Sequence, residues 1–307
     1  MNISEKLKIV LKLTNLTQEK LAKELGVSFV AFNNWINNKA VPRKTRLVKI
    51  ESLYTELTGQ KQNHSDNLSE KKSICKKLSK KYRNIIDFIL NNSDIKNDLI
   101  LSLTYNSNKI EGSTLTQDET AAIIFDEISL KNKSLKEHLE AKNHQTALEY
   151  LFEYISGDKP INEKFILKLH AVLMNSILSN AGNYRNHNVR IVGSNIPTSN
   201  YLSIYKKMKE LIKEINKKNT DIIKHVTTIH SKFEQIHPFS DGNGRIGRLL
   251  LQAMLLKQNL APAIIEQKTK RKYLKYLNDA QSKNDYSNLE EYFCEAIIIG
   301  FSKLDRK

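Results

Sequence analysis

Between residues 85 and 304 the apolar side chains recur at three- and four-residue intervals in nearly every segment, and this limits what the chain can fold into more than any other feature. Such spacing buries one face only when the backbone is helical. Helices are predicted at 85–89, 95–110, 118–128, 135–155, 162–178, 204–215, 221–236, 246–256, 273–281 and 289–304. One stretch, NVRIVGSNIPTSN, breaks the pattern. There Val189, Ile191 and Ile196 flank a Gly193-Ser194-Asn195 turn, which predicts a short β-hairpin. The reading is an all-α protein with one hairpin and no internal repeat.

Residues 1–58 read as short helices broken by turns. Thr17 caps a helix running to Lys23 or Glu24, and Gly26 makes a turn. Ser28 caps a second helix, whose Ala31, Phe32, Trp35 and Ile36 form an apolar face ahead of Pro42. Two short helices around a glycine turn make a helix-turn-helix. The stretch TQEKLAKELGVS, with the Trp35 and Pro42 that follow, resembles the lambda-repressor-like family. That resemblance implies DNA contact through Gln18, Ser28, Phe29, Asn33 and Asn34. The chain departs from the family in carrying Phe29, Val30 and Ala31 where polar residues are usual. Base edges need donors and acceptors, which only the asparagines offer, although Phe29 suits a thymine methyl. A protein-docking or dimerising module therefore stays open beside DNA binding.

The chain has 49 Lys and Arg against 33 Asp and Glu, a net charge of +16, and residues 1–84 hold 18 of the former against 7 of the latter. A basic end favours an anionic partner, and nucleic acid ahead of membrane, because no apolar stripe accompanies the charge at 61–84. GQKQNHSDNLSE, which starts at Gly59, has no apolar period and many turn formers. It opens an expected basic linker at 59–84 between a domain at 1–58 and another at 85–307. No run approaches the roughly 18 apolar residues of a membrane span, and MNISEKLKIV lacks the apolar centre of a signal peptide. Cys75 and Cys294 are too few for a disulfide framework or a cysteine zinc site. The expected setting is cytoplasmic, without a membrane partner and compatible with a homodimer.

Chemistry concentrates in IHPFSDGNGRIGR, residues 236–248. The helix at 221–236 must end before Pro238, which delivers His237 at its exit. Asp241-Gly242-Asn243-Gly244 then turns into a helix that is apolar nearly all round. The unpaired N–H groups of that helix's first turn form an anion site, and Arg245 and Arg248 put two cations just inside it. The set suits a polyphosphate. Asp241 offers a hard oxygen to magnesium and His237 offers a base that works near neutral pH. No GxxxxGK[ST] phosphate loop occurs in the chain.

HPFSDGNGRIGR matches the Fic-family signature HPFx(D/E)GNGRxxR at every specified position. The resemblance extends over about residues 85–307. It implies an all-α enzyme that transfers AMP from ATP to a Tyr, Thr or Ser hydroxyl of a protein and releases pyrophosphate. His237 is then the base and Asp241 holds Mg2+. Gly242, Asn243 and Gly244 line the anion hole, while Arg245 and Arg248 hold the β- and γ-phosphates. Residues Val189, Arg190, Ile191, Val192, Gly193, Ser194, Asn195, Ile196 and Pro197 correspond to a target-clamping flap. Tyr273 and Gln281 are candidates for the adenine pocket, with Gln281 replacing the family's commoner asparagine. Phe239, His170 and His230 are expected to be structural.

SNKIEG, ending the helix at 95–110, resembles the (S/T)xxxE(G/N) inhibitory motif of Fic proteins, with Ser107, Glu111 and Gly112 at the specified positions. In that pattern the glutamate pairs with the second signature arginine, here Arg248. Two other readings remain open at this point: a DNA-binding regulator that senses nucleotide, and an enzyme that removes AMP.

Overall fold

The computed structural model describes residues 2–58, 64–191 and 196–305, and the chain divides into two compact units, Met1–Ser65 and Asp66–Lys307. The first holds α1 (Ile3–Thr14), α2 (Gln18–Leu25), α3 (Phe29–Ile36) and α4 (Lys44–Thr58). Asn2 and Glu5 form a reciprocal cap on α1, Thr17 caps α2 and Ser28 caps α3. Each such cap contributes about 1 kcal/mol. Leu7, Val10, Leu21, Leu25, Phe32, Trp35, Ile36 and Ile50 make the unit's own core. Gly26 closes α2 in the left-handed region at φ 69°, which sets the α2–α3 turn.

The second unit contains α5 (His64–Ser79), α6 (Ile85–Leu90), α7 (Ser93–Ile110), α8 (Gln117–Ile124), α9 (Leu135–Ser156), α10 (Glu163–Leu173), α11 (Ile204–Ile215), α12 (Ile222–Ile236), α13 (Asn243–Lys257), α14 (Lys270–Lys283) and α15 (Ser287–Leu304). At its centre α13 is buried along nearly its whole length, surrounded by α7, α9, α10 and α12. A helix with no solvent face holds its N-terminal loop at a fixed place. Among the described residues no helix is long and apolar enough to cross a membrane.

The structure corrects three expectations. Residues 59–63 of the expected linker lie outside the described residues, but the rest of 59–84 is no spacer. There α5 buries Cys75 in the main core, with Leu68 and Leu78 packed on it. Lys71 pairs with Glu291 and Glu295, and Lys72 with Asp221 and Glu290. Part of the positive charge assigned to an external partner is thus met by acids of the same unit. Next, α8 and α10 stop short of 128 and 178 because α9 claims their ends: Lys142 donates to the Ile124 carbonyl, and Asn143 to those of Leu173 and Asn175. Finally, no strand forms among the described residues of 189–197. Val192 to Asn195 lie outside the described residues, and the flanking arms are joined by the Thr198 hydroxyl donating to the Val189 carbonyl. Two short strands without a third to pair with are marginal on their own.

Candidate active site

Helix α12 ends at Ile236, and His237 adopts the left-handed conformation (φ 52°, ψ 61°) with its N–H closing back on the Phe233 carbonyl. A non-glycine residue in this region costs about 1–2 kcal/mol, so its surroundings must impose it. Arg185 does so. Buried to 2% exposure, it donates from Nε to the His237 carbonyl (2.7 Å), from Nη2 to those of Ser199 (2.6 Å) and Ile236 (3.4 Å), and from Nη1 to that of His187 (2.5 Å). A cation at a helix C-terminus is also favoured by the dipole. The His237 Nδ1 lies 3.2 Å from the Glu234 carbonyl, which can only accept, so Nδ1 carries the proton and Nε2 the lone pair. Burial pushes this imidazole below its ordinary pKa, keeping it neutral and ready to take a proton near pH 7.

Beyond Pro238 the loop folds on itself. The Asn243 side chain accepts from the Phe239 N–H and donates to the Phe239 carbonyl, both at 2.8 Å, so it braces the loop and only its backbone N–H is left for a ligand. His170 stacks on Phe239 at 3.8 Å, accepts from the Gly182 N–H and donates to the Asp241 carbonyl. Gly242, at φ 77°, is the N-cap of α13 and gives it no side-chain cap. The first intrahelical bond runs from the Ile246 N–H to Gly242, which leaves the N–H groups of Asn243, Gly244 and Arg245 aimed outward at the positive end of the helix.

The Glu111 carboxylate covers that end. A Cβ added at Gly244 would stand 2.5 Å from Glu111 Oε1 and 3.2 Å from Arg248 Nη1, so only glycine leaves room for this contact. Arg248 donates from Nη2 to Glu111 Oε1 at 2.6 Å, and from Nε and Nη2 to the Ser107 hydroxyl and carbonyl at 3.0 and 3.1 Å. The structure thereby brings Ser107, Glu111 and Arg248 together, while Gly112, at φ 103°, turns the chain away from α7. Burial alone would raise the Glu111 pKa, but Arg248, Arg245 and Lys270 outweigh it and hold the carboxylate below its ordinary range. Arg245 points elsewhere. It is 3% exposed and pairs with Glu140 of α9 at 2.9 Å, a partner the sequence did not indicate.

Residues 160–255 match the Fic/DOC family model, and residues 7–55 match a helix-turn-helix model. Residues 160–255 are a Fic domain by that match. A protein adenylyltransferase Fic of Nematostella vectensis is 34% identical over 181 residues, covering 57% of this chain and 42% of the relative. The Aedes aegypti protein of the same name is 31% identical over 181 residues, covering 57% and 36%. The chain therefore spans less than half the length of these curated relatives. A Fic domain containing signaling protein from Bacteroides thetaiotaomicron shares the fold with a TM-score of 0.66 at 23% identity, over 78% of this chain and 96% of that one. Fic-1 from C. elegans does so with a TM-score of 0.68 at 22% identity, over 93% and 84%.

In the Fic domain Asp241 is the acid at the loop's mouth. Its Oδ1 accepts from the Gly242 N–H at 2.6 Å, and its side chain is 53% exposed. No cluster of three or more His, Cys, Asp or Glu side chains suited to a metal occurs among the described residues. One open carboxylate is still a fitting donor set for magnesium, which usually takes one or two carboxylates together with substrate phosphates.

The base pocket needs correction at Tyr273. This residue is 1% exposed, and its hydroxyl is engaged by His230 Nε2 at 2.7 Å, with the other nitrogen of His230 donating to the Gly247 carbonyl at 3.1 Å. Tyr273 is a core residue whose hydroxyl donates to His230 Nε2, the Gly247 carbonyl having fixed the proton on the other nitrogen, and no face of its ring is open to a base. Gln281 is half-buried and donates to the Ser231 carbonyl at 3.1 Å.

Glu234 also went unnoticed in the sequence. It is 6% exposed, Oε1 has no hydrogen-bond partner, and a Cβ at Gly247 would meet that oxygen at 2.1 Å. Burial raises its pKa from 4.5 to about 7, against an opposing pull from Arg248 and with a further push from Glu111. Between those values the folded protein binds a proton that the unfolded chain has released, so stability falls as pH rises through this window. Glu234→Gln is expected to raise the stability of the unit by up to about 3 kcal/mol at pH 8, with the gain gone by about pH 4. Thermal unfolding of both proteins at the two pH values checks this. A variant less stable than its parent at pH 8 contradicts it.

In the first unit the helix-turn-helix residues cluster on α2 and α3. Gln18 opens α2 with its Oε1 buried and unpartnered, Ser28 Oγ accepts from the Ala31 N–H, Phe29 is exposed, and Asn33 and Asn34 are half-buried.

Proposed function

We propose that this chain is a protein adenylyltransferase held in restraint by Glu111, with a DNA-binding unit at residues 2–58. The observation that carries the reading is the lone pair on His237 Nε2, delivered beside an uncapped helix N-terminus whose Arg248 can exchange one anion for another. ATP binds with its phosphates along the first-turn N–H groups of α13 and the guanidinium of Arg248, and Asp241 would hold magnesium. When bound, magnesium neutralises phosphate charge. The oxygen of a target Tyr, Thr or Ser hydroxyl attacks the α-phosphorus and the bond from that phosphorus to the bridging oxygen breaks. Pyrophosphate leaves and the hydroxyl proton passes to His237 Nε2. Positioning and charge stabilisation supply most of the rate, and the base adds about 10²–10⁴-fold. The target chain is received at 189–197, whose flanking His187 and Ser199 carbonyls Arg185 ties to that of His237. The named activity of the relatives and the shared fold support this reading.

The full chain, with magnesium and ATP labelled at the α- or the γ-phosphorus, is incubated alone and with cell lysate. Label from the α-phosphorus is expected to remain on protein after denaturation, and none from the γ-phosphorus. Protein labelled from the γ-position, or free AMP with no labelled protein, overturns the transferase reading.

A further inference from the structure

The outer face of α3 carries more information than its place in a helix-turn-helix. Phe32, Trp35 and Ile36 turn into the core, which leaves Val30, Asn33, Asn34 and Asn37 as one outward ridge with Phe29 at its edge. Val30 is 68% and Phe29 48% exposed, so two large apolar side chains face solvent at the first turn. The Asn37 amide donates to the Asn33 side chain at 3.0 Å, and the Asn34 side chain makes no hydrogen bond among the described residues. Asn34 thus keeps a donor and an acceptor free.

No residue from Gly26 to Asn38 is charged. Guanine is read in the major groove by Arg or Lys on O6 and N7, and cytosine by Glu or Asp on N4, so α3 has the side chains for neither. What it has matches the other pair: apolar groups for the thymine methyl and an amide for adenine N6 and N7. The surrounding charge selects DNA over an apolar protein partner. Lys39 and Arg43, directly after the ridge, are exposed, and residues 1–58 hold 10 Lys and Arg against 5 Asp and Glu.

We infer that α3 reads A·T-rich major groove, with Phe29 and Val30 on thymine methyls and Asn34 on adenine. The inference rests on the DNA-binding reading above. In selection of the full chain against a randomised duplex library, bound sequences are expected to be enriched in A·T pairs. In a selected duplex, replacing the contacted thymines by uracil removes only methyl groups and should weaken binding about fourfold per methyl. The double variant Phe29→Ala with Val30→Ala should lose this sensitivity while still binding. Asn34→Ala should lose about 5-fold or more in preference for adenine at one position.

Binding with no base preference, enrichment of G·C pairs, or uracil duplexes bound as tightly as thymine ones overturns this inference and leaves DNA binding intact. Absence of binding to any duplex at low salt overturns both. A dimer in sedimentation that Val30→Glu dissociates, together with no DNA binding, assigns the ridge to a second copy of the chain.

Discussion

His237→Ala is expected to abolish transfer of label from the α-phosphorus of ATP while leaving nucleotide affinity within a few-fold of the parent. The imidazole contributes no donor to the phosphates, since its Nδ1–H is committed to the Glu234 carbonyl and Nε2 bears a lone pair. Affinity should therefore survive its removal. The rate should not, because the histidines packed against the loop and α13 cannot replace it: His170 has its pKa lowered to about 4 and His230 to about 3, each by burial, and both have their ring nitrogens engaged. Affinity by calorimetry and labelling by gel separate the two quantities. Labelling at the parental rate would remove His237 from the mechanism. A large loss of affinity would instead mean that the left-handed turn, rather than the base, had been lost.

Glu111→Gly is expected to accelerate labelling at least about tenfold. Arg248 is 5% exposed and its Nη2 meets Glu111 at 2.6 Å, so a γ-phosphate and this carboxylate compete for one planar fork. A nucleotide that enters while Glu111 stays must sit displaced, and about 1 Å of misplacement costs about 10²-fold in rate. Restraint then shows in rate more than in affinity. Arg248→Ala on the Glu111→Gly background should erase the gain, because the released guanidinium is what improves the alignment. Should Glu111→Gly add AMP no faster than the parent and remove it more slowly, Glu111 is a participant in AMP removal.

The two expectations draw on a site that the sequence exposed unevenly. The exit of α12, the turn at 241–244 and the place of Arg248 were legible because they are local. A proline, three glycines and a helical period fix them within thirteen residues. Ser107 and Glu111 were legible through a short motif with its own spacing. Glu140, Arg185, Glu234 and Lys270 were not. Each acts on a partner brought near only by the fold, and each reads in sequence as one more charge on a helix or loop. Tyr273 failed for the opposite reason, because an aromatic at helical spacing has the same pattern whether it lines a pocket or fills a core. The described arms of 189–197 form no ladder because an alternation of three apolar residues is too short to specify one. The linker failed because Leu68, Cys75 and Leu78 hold a helical period thinly, among lysines.

Arg185 sets a boundary that matters to anyone wishing to redirect this protein. Its fork ties the carbonyls of His187 and Ser199, which flank 189–197, to those of Ile236 and His237. A recognition loop transplanted from another protein at 189–197 keeps this tie. A transplant that takes in 187 or 199 but leaves Arg185 outside it severs the tie and releases the backbone that holds the histidine. The interchangeable cassette is therefore either the tip alone or the whole of 185–199, and grafts with intermediate ends should fold yet turn over poorly.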